Sequence, residues 1–173
     1  MAPPLPTADR LLDLERRARR EGTGLGATDL PGCWWLRQVW GRGRRQPSAA
    51  SAALLRALGA RLEIAPAADA DTLRLANTVN LGALQLRFEG EARLRGRRPL
   101  LVFWFERLRL RLAGLTLLER TLARPVERRL PFFALIGSGP AAGGEPGWLA
   151  ARGRSGGLAL WVADQERSRS SRS

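Results

Sequence analysis

Histidine, lysine and tyrosine are absent from this sequence, and cysteine and methionine occur once each. Without histidine there is no Ser-His-Asp or Cys-His nucleophile system. Histidine-bearing zinc sites are excluded as well, and the single Cys33 cannot complete a thiolate one. Without lysine there is no Schiff base and no phosphate-loop lysine. Cys33 has no partner for an internal disulfide, which is compatible with a reducing compartment. No run reaches the ~18 apolar residues of a membrane-spanning helix. The first ten residues lack the apolar stretch of a secretory signal, and Asp9, Asp13 and Glu15 oppose an organelle transit peptide. The expected location is the cytoplasm.

A carboxylate pair would still support acid–base chemistry. The acids, however, alternate with arginines, as in Leu14-Glu15-Arg16-Arg17 and Val126-Glu127-Arg128-Arg129. That pattern reads as solvated charge. The sequence therefore points away from an enzyme, and neither a cofactor nor a metal is expected.

What is present is arginine, apolar side chains and turns. All 29 basic residues are arginine, the formal net charge is +13, and 45% of the 173 residues are hydrophobic. One domain with a real core fits that length. Residues 8–21 read as a helix, with Thr7 as N-cap and Leu11, Leu14 and Ala18 on one face. Residues 33–40 read as a strand. A short helix is expected over 49–58, after Ser48. From Ala60 the period changes to two. Alternating segments cover 60–64, 73–80, 84–89, 92–95 (after a one-residue break) and 107–112, and 100–105 is apolar on both faces. Residues 116–124, with Leu118 and Leu122 four apart, read as one or two helical turns. A strand over 132–136, a glycine- and proline-rich loop over 137–147 and a closing hairpin complete the chain.

Such a meander protects its edges by closing on itself. The expected fold is mainly β, an antiparallel lipocalin-like barrel of about eight or nine strands with an N-terminal helix and short helical excursions. Residues 1–29 form the helix and linker, 30–163 the barrel domain, and 164–173 a basic, disordered tail.

Several motifs, in order, carry a resemblance. They are Leu30-Pro31-Gly32-Cys33-Trp34-Trp35-Leu36, Leu75-Ala76-Asn77-Thr78-Val79-Asn80, Arg97-Arg98-Pro99-Leu100-Leu101-Val102-Phe103, Gly147-Trp148-Leu149, and Arg152-Gly153 followed by Gly156-Gly157-Leu158-Ala159-Leu160-Trp161. Together they resemble the plastid lipid-associated protein, or fibrillin, family of cyanobacteria and plastids, over residues 30 to 163. That family usually carries a further pair of strands between the segments matched by Trp148-Leu149 and Arg152-Gly153. Only Ala150 and Ala151 stand there, so the chain reads as a shortened, divergent member. The resemblance implies a lipocalin-type barrel that binds a lipid, carotenoid or quinone at or near a photosynthetic membrane, with peripheral thylakoid association.

Trp34, Trp35, Leu36, Trp40, Phe103, Trp148 and Trp161 are the candidate apolar wall of a ligand site, or else barrel core. On alternation alone, Trp34, Leu36, Gln38 and Trp40 share one face of the first strand. Asn77 shares a face with Leu73, Leu75 and Val79. It is either an internal hydrogen-bonding group or a polar anchor for a ligand's head. Arg152 and Arg154, in the closing turn, either hold an anionic head group at the barrel mouth or merely decorate a hairpin. Eight arginines and three acids between 87 and 111 form a solvated face, an attraction for an anionic membrane surface, or, least favoured, a nucleic-acid surface. The filled-barrel interaction protein and the nucleic-acid module remain the alternatives to ligand binding, and the oligomeric state is open.

Overall fold

A computed structural model describes residues 5–42, 60–69, 71–140 and 147–164. Helix α1 spans Ala8–Glu21; the Thr7 hydroxyl accepts a hydrogen bond from the Arg10 backbone N–H. Nine strands follow: β1 Gly32–Trp40, β2 Arg61–Pro66, β3 Thr72–Leu81, β4 Leu84–Arg95, β5 Leu100–Leu112, β6 Leu115–Thr121, β7 Phe132–Gly139, β8 Trp148–Gly153 and β9 Leu158–Ala163. All pairings are antiparallel. The order is β4-β3-β2-β1-β9-β8-β7-β5-β6, and a β4–β5 pairing closes eight of the strands into a barrel-like ring.

Closure depends on a tight approach. A bulge in β5 leaves Glu106 as an extra residue there: Glu89 pairs with Arg107, but Gly90 pairs with Phe105. A Cβ at Gly90 would lie 2.0 Å from the Trp104 carbonyl oxygen, so no larger residue fits there.

Strand β5 serves two neighbours in turn on its second edge. Its first residues, Leu100–Val102, pair with β7 inside the ring; its last, Arg107–Leu112, pair with β6, which lies outside it. On the other side, β2 begins at Arg61, opposite Thr78 of β3. The upper parts of β3, β4, β5 and β6 therefore leave the ring together as a four-stranded tongue. Two tight turns, Gly82-Ala83 and Ala113-Gly114, end it.

The core has two parts. Inside the ring, Trp34, Leu62, Ile64, Leu75, Leu101, Phe103, Leu135, Leu149 and Trp161 form one cluster. Outside it, α1 lies on β7–β9, and Leu11, Trp40, Ile136, Ala150, Leu158 and Leu160 form a second. The remaining outer face is largely polar but carries Trp35 and the more deeply buried Trp104. The Trp104 side chain is 1% exposed, beneath the Arg124 guanidinium 3.7 Å from its ring centre.

Several sequence expectations are corrected. Residues 115–121 form strand β6, not a helix, because Leu112, Leu110 and Arg107 of β5 give them a ladder to join. In place of the break expected near residue 90, β4 runs continuously from Leu84 to Arg95 and the bulge beside it is at Glu106 of β5, while 100–112 is one strand. Glu15 is not solvated: it lies at the centre of the buried face of α1. The helix expected at 49–58 and the tail beyond Asp164 lie outside the described residues, as does 141–146 of the expected loop.

Candidate functional site

The first strand brings only part of the candidate wall together. Trp34 and Leu36 face the ring interior, and Trp34 Nε1 donates to the Leu30 carbonyl at 3.0 Å. A bulge at Arg37 then shifts the phase: Leu36 pairs with Trp161, but Gln38 pairs with Leu160. Trp40 consequently lies on the opposite face, buried under α1 with Leu158 and Leu160. The shared face expected for Trp34, Leu36, Gln38 and Trp40 is thus broken, because one extra residue inverts a two-residue period. Trp35 lies outside the ring, with the Arg61 guanidinium 5.6 Å from its ring centre.

Phe103 and Trp161 join Trp34 and Leu36 in the interior. They belong to a chain of aromatic contacts running Phe88–Phe105–Phe103–Phe133–Trp161, with ring centres 5.0–5.6 Å apart. These side chains occupy the ring's own interior. Asn77 faces the same way but sits half-buried towards the open end, between Leu62 and Phe88 on its neighbouring strands.

The closing turn holds its anion from within the chain. Arg152 Nε and an Arg152 terminal nitrogen donate to the two oxygens of Glu15, at 2.7 and 2.5 Å, and its other terminal nitrogen donates to the Gly156 carbonyl at 2.7 Å. Arg98 and Arg19 each reach the same carboxylate at 3.0 Å. Burial alone would raise the Glu15 pKa. The hydrogen bonds and charges of Arg152 and Arg19 outweigh it and hold the group at about 2. Arg154 donates to the Leu130 and Arg128 carbonyls at 3.0 and 3.1 Å. Both arginines expected to receive a head group are therefore engaged by the protein itself. Arg152 clasps α1 to β8; Arg154 ties the turn to the segment before β7.

Trp148 behaves differently. It lines a cleft of about 730 Å³ between α1 and β7–β8, open to solvent along one side. Leu14 and Ala18 of the helix form one wall, and Ile136, Gly137, Gly139 and Trp148 form the other. The glycines admit the indole: a Cβ at Gly139 would lie 2.1 Å from Trp148 Nε1. Arg10 and Arg17 stand on the rim. Arg17 is paired with Glu21 at 2.8 Å, whereas Arg10 has no acidic partner among the described residues. Of the sequence-predicted residues, only Trp148 lines this cleft. Leu14 was legible as a helix-face residue. Gly137 and Gly139 fell in what read as a loop, so nothing marked them.

A second cleft, about 760 Å³, lies on the outer face of β2–β5. Charged pairs line it, Arg87 with Glu63 and with Glu89 at 2.9 and 2.8 Å, so it offers little to an apolar molecule. No family model matches the chain, and no curated protein matches it.

Proposed function

We propose that the protein is a non-catalytic binder of an apolar small molecule with an anionic head, seated in the cleft between α1 and β7–β8. The observation that carries this reading is the cleft itself. Its volume falls in the ~300–1,000 Å³ range of small-molecule sites. Its walls combine Leu14, Ile136 and the Trp148 ring with a rim cation, Arg10. An apolar body against the indole and a carboxylate or phosphate at Arg10 would use both features. The ordered motifs that resemble the fibrillin family support a lipid, carotenoid or quinone as the class, met at a photosynthetic membrane.

A second reading, a structural or interaction protein with a filled barrel, is favoured by the aromatic chain inside the ring. A nucleic-acid role has less support, because Arg87, Arg107 and Arg109 already hold Glu63, Glu89 and Glu119.

Titration with a fluorescent polyene fatty acid and its alcohol tests the cleft. Gly137→Val should weaken both, since a Cβ there meets the Trp148 ring at 3.6 Å, an ordinary contact, and the rest of the side chain fills the cleft. Arg10→Gln should weaken the acid alone, by roughly tenfold for one charged hydrogen bond. If neither substitution changes either affinity, the cleft is not the site. If wild-type protein binds neither probe, and protein from its native host yields no apolar molecule on extraction, the filled-barrel reading stands.

A further inference from the structure

We infer that the leucine-lined tip of the β3–β6 tongue is a docking surface for an anionic lipid bilayer, its leucines entering the interfacial layer and its arginines meeting lipid phosphates. The inference goes beyond the cleft reading and rests on different residues.

Exposed apolar area is concentrated in one place. Six large hydrophobic side chains are exposed among the described residues, and five are at the tongue: Leu81 (60%), Leu112 (44%), Leu115 (72%), Leu117 (57%) and Leu118 (48%). The strand registers align them. Leu81, Leu84, Leu112 and Leu115 form the outermost row, and Val79, Leu86, Leu110 and Leu118 form the next row on the same face. Below them, Phe88 touches Phe105, so this face is continuous with the ring interior. A contiguous apolar surface of this kind marks an interaction site.

The two turns at the tip are apolar as well. Two-residue hairpin turns in water favour Asn-Gly, Asp-Gly or Gly with a polar partner. Here they are Leu81-Gly82-Ala83-Leu84 and Leu112-Ala113-Gly114-Leu115, with no charged or polar side chain. Ala113 even takes a positive φ, +48°, a conformation that suits asparagine better.

Charge decides the occupant. On the polar face, Arg111 and Arg109 lie one and three residues below Leu112, roughly 3 and 10 Å along the strand. Arg120 of β6, opposite Leu108, lies on the leucine face itself, at the base of the apolar rows. Arg111 donates to the Gly114 carbonyl, and neither it nor Arg120 has an acidic partner among the described residues. Amphipathic surfaces that bind bilayers sink their apolar face about 5–10 Å, which would bring Arg111 and Arg120 to the phosphate layer, while Arg109 stays paired with Glu119. Their stems can run along the leucines while the guanidinium groups stay at the polar boundary. A net charge of +13 favours an anionic surface and opposes stacking two copies tip to tip.

Co-flotation with phosphatidylcholine vesicles, with and without phosphatidylglycerol, tests the inference. Wild-type protein should float with the anionic vesicles. The variant Leu81→Thr/Leu115→Thr/Leu117→Thr, changed only at exposed positions, should lose at least about tenfold in affinity while keeping its melting temperature. Arg111→Gln and Arg120→Gln should each cost about fivefold, on anionic vesicles only. Gly137→Val should float like wild type, which separates the tongue from the cleft. Flotation of the leucine variant equal to wild type overturns the inference. So does a wild-type protein that ignores anionic vesicles, including one that sediments as a dimer which the leucine substitutions dissociate.

Discussion

Strand β5 carries an apolar inward row through two environments, while its outward row is apolar in the lower half and arginine in the upper half. In its lower half Leu101 and Phe103 point inward and are 1% and 7% exposed; in its upper half Leu108, Leu110 and Leu112 point the same way, and Leu112 is 44% exposed. The inward side chains are equally apolar in both halves, so the difference in their burial is not written in them. The lower half has β4 on one side and β7 on the other, and β1, β8 and β9 close the far wall. Among the described residues, the upper half has β4 and β6 but no opposite wall. Burial thus follows from closure of the ring, and alternation supplies only a face able to be buried. The same face that makes a core in the ring makes an interaction surface on the tongue.

The largest expected effect lies in the ring. Trp161→Ala removes a side chain that touches Phe133 and packs in the interior cluster, and should cost about 3–5 kcal/mol in chemical denaturation. A cost below about 1 kcal/mol would mean the interior is loosely packed and the contrast with the tongue is false.

Next comes the clasp that fixes α1 to the ring. The Glu15 pKa is about 2 in the folded chain against an ordinary 4.5, so the folded form prefers the ionised carboxylate. Its stabilisation is complete above about pH 5 and disappears as pH falls towards 2, where the group protonates in both states. The difference is worth about 2–3 kcal/mol, allowing for partly exposed arginines. Glu15→Gln should lose about that much at pH 7 and should lose less stability than wild type on acidification. Parallel denaturation curves at every pH would show that the carboxylate is solvated.

Much of the sheet was legible. The alternation of 73–80, 84–89 and 107–112 is the alternation of β3, β4 and β5, and the helix drawn over 8–21 is α1. Three things were hidden, each for a physical reason. Leu118 and Leu122 are four apart, a spacing shared by a helix face and a strand face; only pairing with β5 decides between them. The bulge at Arg37 leaves no mark in composition, yet it moves Trp40 to the other side of the sheet. Glu15 and Arg152 are 137 residues apart, so a glutamate flanked by arginines read as solvent-facing when its partner came from β8. Of the cleft, the indole of Trp148 and the helix face of Leu14 could be anticipated, but their juxtaposition could not.

A smaller effect sharpens the comparison at the tip. Ala113→Asn places a residue suited to positive φ in the β5–β6 turn and should stabilise the protein by about 0.5–1 kcal/mol. The same change puts a polar amide at the leucine tip, so it should weaken binding to anionic vesicles. A gain in stability accompanied by a loss in flotation would mean that the alanine serves the surface and not the fold. Increased stability with unchanged flotation would place the docking surface elsewhere.

The smallest effect is the one most able to break the comparison. Leu117 lies on β6 at the bulge opposite Arg111 and Leu110, and it is 57% exposed. Threonine suits a strand at least as well as leucine and buries less apolar area. If nothing covers the tongue, Leu117→Thr removes little that was shielded from water, and stability should change by less than about 0.5 kcal/mol. The ring predicts the contrary for any leucine in its interior, where truncation costs about 2–5 kcal/mol. A loss of 2 kcal/mol or more at Leu117 would place it in a core, with the far wall supplied by another part of the chain or by a second copy. Concentration separates these two: a loss that grows on dilution belongs to a second copy, and a constant loss belongs to the same chain. Either result would make the tongue a second closed region, and leucines that are already covered have no apolar face left for a bilayer.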